Sequence, residues 1–333
     1  MTIREFAQLC GVSPATVSRY FSGQGSISEE VRKQIEKTAK KTGYRPPDSY
    51  RSRRKNNSTI VVLLPHLQHT FFADILEELR RQADKLHKKL AFLIMDERAP
   101  QNTLSLIQAL SPIGIILLHE STEDPISDAL SRQNIPIVVC GALAVGRRFS
   151  SVHIDDMMAT YDGMNYLIGI GHTEIGVISD NSQAISSGFQ RITGCKKAME
   201  DAGLTLSESH IIHGGLTFEA GYEGARRLLL QAPKTSAVFA FSDDAAAGAI
   251  AFLRDSGKDV PGDISVLGFD DNSLAEKIRP RLTTVHQPFS LIAQKSIERL
   301  LEIQGTHDMA SFTLSYEIVE RESCRPVYPE WKR

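Results

Sequence analysis

Residues 2–46 read TIREFAQLCGVSPATVSRYFSGQGSISEEVRKQIEKTAKKTGYRP, and their punctuation decides the architecture of this end of the chain. Thr2-Ile3-Arg4-Glu5 has the form of a capping box: Thr2 can accept from the amide three residues on, and Glu5 can reach back. Ile3, Phe6, Ala7 and Leu9 then give one apolar face of a short helix, which Gly11 breaks while Val12 fills the turn. Ser13 as N-cap and Pro14 at the first helical position restart a helix, because a missing N–H costs nothing there. Along it Val17, Tyr20 and Phe21 point inward, leaving Ala15, Thr16, Ser18 and Arg19 outward. Residues 22–26 form a loop. Ser28 caps a third helix with Glu29 and Glu30 in its favourable first turn, Val31, Ile35, Thr38 and Ala39 as its buried stripe, and Gly43 at its end. Three short helices with a Gly-containing turn between the first two predict a helix-turn-helix. The outward side of the second helix is small and polar with one Arg, which suits a major groove where bulk would clash and Arg can pair with guanine. Taken alone, the pattern also fits an ordinary three-helix bundle.

Charge separates this head from the rest. Residues 1–58 hold twelve Lys and Arg against five Asp and Glu, whereas the remainder is acidic, although the whole 333-residue chain nets only −2. A basic head on an acidic body points to a polyanion at the head or to a solvated charged surface. The stretch Arg45-Pro46-Pro47-Asp48-Ser49-Tyr50-Arg51-Ser52-Arg53-Arg54-Lys55-Asn56-Asn57-Ser58 is basic and polar and contains nothing that could form a core, so it is expected to be disordered when free. Cys10, Cys140, Cys195 and Cys324 are scattered, with no CxxC and no clustered His, which argues against a zinc site or a disulfide framework. The first residues are polar and no apolar run reaches membrane-spanning length, so a soluble, cytoplasmic protein is expected.

The pattern changes at Thr59. Apolar runs at residues 59–65, 91–95, 113–118 and 136–140 alternate with helical segments near 72–88 and 104–110. A second alternating series includes residues 174–179, 209–213, 236–240 and 263–267. Near-continuous apolar strands between helices imply parallel sheets covered on both faces, and two such series imply two lobes. Ligands in such folds sit beyond the carboxyl ends of the strands, which here means the cleft between lobes. The length also fits two or three folding units. The expected divisions are a head at 1–44, a hinge linker at 45–58, a body at 59–325 and a tail at 326–333. Within the body, lobe 1 takes 59–169 and 288–316, and lobe 2 takes 170–287 and 317–325.

The head resembles that of the lactose/galactose repressor family almost position for position, on Ala7, Gly11-Val12-Ser13, Thr16-Val17-Ser18-Arg19, Ser28, Gly43-Tyr44 and Pro46. The resemblance extends over essentially the whole chain, the body being similar to periplasmic sugar-binding proteins. It implies an all-α helix-turn-helix head on an α/β two-lobed periplasmic-binding-protein-like effector domain. For DNA it implies that Pro14 and Ala15 help choose the operator, that Arg19 reads a base, and that Thr2, Ser13, Thr16, Ser18, Ser22 and Ser26 lie near phosphates or bases. In the family a hinge leucine wedges into the minor groove. Here Arg53 stands at that position, with Tyr50 three residues earlier where Ala is usual. An Arg can enter a narrow minor groove but is a poor wedge, so the expectation is weaker bending, or stacking by Tyr50, with a merely solvated basic linker as the alternative.

For the effector, the resemblance implies a cleft lined by Phe71, Phe72, Asp155, Arg191, Leu216, Ser242, Asp270 and Gln287. Arg191 and Asp270 would hold polar ligand groups. Phe72 can equally be core, and Asp155 and Asp271 can equally cap helices. Leu216 and Ser242 replace a usual aromatic and a usual Asn, which makes the site smaller or less polar at two points. A sugar or related metabolite is the expected effector. A phosphorylated carrier protein as corepressor, or a degenerate site, stays open, as does repressor against activator. Two heads reading two half-sites require a homodimer, and the tail lacks the leucine heptads of a tetramer. No Gly-rich phosphate loop follows the first strand and no nucleophile–base pair stands out, so neither an enzyme nor a cofactor is expected. A plain carbohydrate-transport protein is the other rival, and the DNA-reading head argues against it.

Overall fold

The computed structural model describes residues 2–22, 27–44, 58–96, 98–118, 125–133, 135–144, 149–180, 187–304 and 308–327. Three helices form the head: α1 (Ile3–Leu9), α2 (Pro14–Ser22) and α3 (Glu29–Thr42). They bury Phe6, Ala7, Cys10, Val17, Ile35 and Tyr44 in a small core of their own. The capping box is present, with Glu5 N–H donating to Thr2 Oγ1 at 3.3 Å and Thr2 N–H to Glu5 Oε2 at 2.8 Å. Gly11 and Gly43 both take positive φ, at 63° and 64°, where the chain leaves α1 and α3.

Beyond the head the chain runs β1 (Thr59–Leu64), α4 (Thr70–Lys85), β2 (Lys89–Ile94), α5 (Pro100–Leu110), β3 (Gly114–Leu117), α6 (Pro125–Ser131), β4 (Ile137–Cys140) and β5 (Ser150–Ile154). It continues through α7 (Asp156–Gly169), β6 (Ile175–Ser179), α8 (Ser187–Asp201), β7 (Ile211–His213), α9 (Phe218–Gln231), β8 (Ala237–Ala240), α10 (Asp243–Asp255) and β9 (Ser265–Asp270). It closes with β10 (Thr283–His286), α11 (Phe289–Glu302), β11 (Ser311–Leu314) and β12 (Glu317–Val319).

Two six-stranded sheets result, in the orders β11-β5-β4-β3-β1-β2 and β12-β10-β9-β8-β6-β7. All pairings are parallel except β10 with β12. In the first lobe α4 and α11 cover one face of the sheet, and α5 and α6 the other. In the second lobe α7 and α8 cover one face, and α9 and α10 the other. The central strands are buried on both faces, which is why they read as unbroken apolar runs. The chain passes between the lobes after β5, β10 and β11, three crossings among the described residues.

Two features depart from the sequence reading. Helix α7, assigned there to lobe 1, packs in lobe 2, where Ala159, Met164 and Leu167 join the core around Phe239 and Phe269. Gly163 lets α7 lie directly on the Phe239 ring, so the lobe boundary falls before residue 156 rather than after 169. Strand β5, Ser-Ser-Val-His-Ile, has no apolar run, yet all five residues are buried. Ser151 and His153 are paired across the sheet with the Ser311 hydroxyl, at 2.9 Å each, and His153 also bonds the adjoining Ile154 carbonyl at 2.6 Å.

Helices α9 and α10 meet through a pair of glycines. A Cβ on Gly221 would strike the Ala245 backbone, and one on Gly248 the Phe218 carbonyl. Gly248→Val is therefore expected to lower stability by about 1–3 kcal/mol or more through overpacking, read as a reduced thermal midpoint of the full chain, whereas Gly169→Ala, with open space around it, should leave it unchanged.

Candidate functional site

The head presents the second helix as the sequence arranges it. Ser13 Oγ accepts from the Thr16 amide at 3.1 Å and pairs with the Thr16 hydroxyl at 2.9 Å, which fixes the entry to α2. Val17 is fully buried, while Pro14, Ala15 and Arg19 are exposed and Ser18 is half-buried. The Tyr20 hydroxyl donates to Glu36 at 3.1 Å, and the Tyr44 ring stacks on Phe6 at 4.0 Å, tying α2 and the end of α3 to the core. Ser22 is the last residue of α2, and Thr2 caps α1. Ser26, Tyr50 and Arg53 lie outside the described residues.

Between the lobes is a cavity of about 50 Å³. His69, Phe71, Phe72, Leu118, Cys140, Gly141 and Ala142 line it from the first lobe, and Ser187, Arg191, Leu216 and Asp270 from the second. The first-lobe lining follows β1, β3 and β4, the carboxyl ends of parallel strands. Of the eight residues proposed for this site, Phe71, Phe72, Arg191, Leu216 and Asp270 are brought together around it. Phe72 also belongs to the first-lobe core.

The other three are held elsewhere. Asp155 caps α7, its Oδ1 accepting from the Met158 amide at 3.0 Å. Ser242 caps α10 by accepting from the Ala245 amide at 3.0 Å, and its hydroxyl donates to the Leu216 carbonyl at 2.6 Å. Gln287 is buried behind the lining, with Nε2 donating to Asp270 Oδ1 at 2.8 Å. Two of them act on the cavity through a neighbour, Ser242 setting Leu216 and Gln287 setting Asp270, while Asp155 serves as the cap of α7. His69, Leu118, Cys140, Gly141, Ala142 and Ser187 were not singled out from sequence. The rule that ligands sit beyond strand ends points to most of them.

Arg191 does not stand in the cavity as an isolated cation. Its Nε donates to Asp156 Oδ1 at 2.7 Å and its Nη1 to the Phe241 carbonyl at 2.6 Å, while the guanidinium lies 3.7 Å from the Phe269 ring centroid. Both ion-pair partners are deeply buried, at 8% and 2% side-chain exposure. Asp270 holds its backbone at φ 116°. Burial, opposed by Arg191 and the Gln287 bond and aided by the charges of Asp244 and Asp156, pushes its carboxyl up to about 8. Burial, then the charge of Asp270, pushes Asp243 well above the usual carboxylate range, even though Thr284 Oγ1 donates to it at 2.6 Å and the Asn272 amide at 2.7 Å. Burial, then the neighbouring His66, holds the His69 imidazole below its usual value. The cavity is thus close to neutral: a compensated Arg, a protonated carboxyl able to donate, and an uncharged imidazole against aromatic and aliphatic walls. Among the described residues no group of His, Cys, Asp and Glu could hold a metal ion, and no helix is long and apolar enough to cross a membrane.

A helix-turn-helix head followed by a two-lobed cleft body is the build of a ligand-responsive transcription regulator rather than of an enzyme. The comparisons agree. Residues 2–47 match the bacterial regulatory proteins of the lacI family, and residues 164–324 match a periplasmic binding protein-like domain. The chain is 31% identical to the HTH-type transcriptional repressor CytR of Escherichia coli (strain K12), across 98% of this chain and 97% of that one. It is 28% identical to catabolite control protein A of Priestia megaterium, across 98% and 99%. Among solved structures, the transcriptional regulator CelR in complex with cellobiose is similar, with 27% identity, a TM-score of 0.74 and coverage of 97% and 99%. The chain belongs to the lacI family of DNA-binding transcription regulators.

The buried Asp270 makes stability depend on pH in a fixed direction. The folded protein holds this proton more tightly than the unfolded chain, whose ordinary carboxylate value is 3.8. The contribution is therefore complete below that value and is lost as the pH rises through about 8. Asp270→Asn should lose less thermal stability than the natural chain across that interval, and equal slopes of melting midpoint against pH would contradict the assignment.

Proposed function

We propose that this protein controls transcription in the cytoplasm as a homodimer that grips a pseudo-palindromic operator, with a small neutral metabolite in the inter-lobe cavity setting its DNA affinity. The observation that carries the DNA half is α2: a capped helix with its apolar side buried, presenting Pro14, Ala15 and Arg19 outward. Pro14 and Ala15 have no side-chain hydrogen-bonding groups, so they read by shape or apolar contact and Arg19 carries the discrimination. Thr2, Ser13, Thr16, Ser18, Ser22 and Ser26 would lie along the phosphates, and Tyr50 and Arg53 would reach the minor groove between the heads.

Repression is the favoured sense of control, because a dimer seated on an operator obstructs transcription by occupancy alone. Edge strand β2 supports the dimer: Phe92 and Ile94 are 46% and 55% exposed, large apolar groups on an unpaired strand edge, which a second copy would cover. The near-neutral cavity supports an uncharged polyol over a phosphorylated one, in keeping with the cellobiose held by the similar regulator CelR. A ligand shifts the lobes only by binding one arrangement more tightly than the other.

Operator sequences selected from genomic fragments should bind the natural chain, and Arg19→Ala should weaken that binding by about 1–3 kcal/mol, roughly tenfold to a hundredfold, with the fold intact. An unchanged sequence preference would remove Arg19 from base reading. The same complexes report the hinge, because bending measured by DNA end-to-end distance should fall in Tyr50→Ala or Arg53→Ala if either side chain enters the groove. Phe92→Asp should convert the dimer to monomer in sedimentation velocity and abolish operator binding. In a thermal-shift screen, neutral sugars are expected to include a stabiliser. Stabilisation only by sugar phosphates, or only by an added phosphorylated carrier protein, would redirect the proposal.

A further inference from the structure

Helix α4 begins at the cleft, and its own N-cap residue, His69, makes no side-chain capping bond. The cap comes from the other lobe. Asp244, the second residue of α10 and only 8% exposed, accepts from Thr70 Oγ1 at 2.8 Å and from the Thr70 amide at 3.2 and 3.4 Å. An anion over the first turn of a helix meets amides that have no partner within the helix, together with the positive end of its dipole.

One turn further along α4, Asp74 returns the contact and accepts from the Ser273 amide of the second lobe at 2.6 Å. Residues 70 and 74 stand four apart, so they occupy one face of α4, and that face meets the second lobe twice. Asn272 joins the two points, because its Nδ2 donates to Asp244 at 3.3 Å and it immediately precedes Ser273. Each lobe thus gives one carboxylate and receives one, and the acceptor in both contacts is a carboxylate, which makes the stronger kind of hydrogen bond.

We propose that Asp244 and Asp74 are positioning residues that form a two-point clasp across the cleft, holding the two lobes together so that a metabolite enters only when the clasp releases. The size of the cavity supports this. Its roughly 50 Å³ lies far below the about 300–1,000 Å³ of pockets that take small molecules. The clasp deepens the regulatory reading of the cleft and rests on it. It makes lobe separation a discrete event with named contacts to break, and it places those contacts on the helix that also carries Phe71 and Phe72 into the cavity.

Two native cysteines make the test direct. Cys140 lines the cavity, and burial pushes its thiol up to about 12, so in the shut body it is protected both by access and by ionisation. Cys195 is fully buried in the core of lobe 2, away from the cleft, and reports unfolding. The full chain, without ligand or DNA, is alkylated with N-ethylmaleimide and each thiol followed by peptide mass spectrometry. Cys140 should react about tenfold faster or more in Asp74→Ala/Asp244→Ala, because each lost bond to a charged acceptor is worth about that factor, while Cys195 keeps its natural rate. Thr70→Val, which removes only the hydroxyl, should give a smaller rise at Cys140 alone, and it decides the matter if the double variant unfolds. Natural Cys140 rates in the folded double variant, or in Thr70→Val when the double variant unfolds, would overturn the clasp. So would Cys140 and Cys195 accelerating together in Thr70→Val. Since the assay contains neither metabolite nor operator, its failure would leave the proposed function standing, and a failed ligand screen would leave the clasp standing.

Discussion

A parallel strand covered by helices on both faces cannot carry an unpaired polar group along its length, because nothing there could solvate it. That constraint orders this molecule. Both sheets are apolar through their middles, and polar side chains gather where the strands end. The lobes set those ends against each other, so among the described residues polar groups converge in the gap between them, where Asp270 at the end of β9 and Gly141 just beyond β4 border one cavity. The polar residues inside a strand obey the same rule by pairing: Ser151 and His153 of β5 meet Ser311 of β11, and Ser150 accepts from Arg299 of α11.

The buried pair of Arg191 and Asp156 shows what such a setting does to charge. Removing two ions from water is expensive, and their attraction offsets it only when geometry is good and the remaining donors are satisfied. Here the guanidinium is bonded twice and rests on an aromatic face. The consequence is a cleft that contains an arginine yet offers little net positive charge. Asp270 follows the same logic from the other side: burial outweighs the opposing charge of Arg191 and the Gln287 bond, so its carboxyl keeps its proton to higher pH.

Much of this was legible in the chain before folding. The caps at Thr2, Ser13 and Ser28, the glycine at 43 and the apolar runs between 59 and 267 are local signals that the three-dimensional structure reuses without change. What could not be read depends on register and on which lobe a helix joins. Asp155 and Asp156 are adjacent and identical in type. Only the turn of α7 makes one a cap and the other the partner of Arg191, and only the contact of Gly163 with Phe239 puts that helix in the second lobe. Ser242 and Gln287 fell at plausible cleft positions, but one hydroxyl was taken up by helix capping and one amide by the neighbouring carboxyl. Strand β11 is short and largely exposed, β12 is only three residues long and partly buried, and no apolar run announces either.

The repeated passage of the chain from one lobe to the other has a consequence for how such a protein can diversify. Neither lobe is a single stretch of sequence: the first needs residues on both sides of the second, and the second regains β12 after the first has taken β11. A new ligand preference cannot be acquired by splicing in half a body with one cut. Only the whole body or individual side chains can be exchanged without severing a sheet. The head, with its separate core, is under no such restriction and can be traded between bodies as one continuous segment.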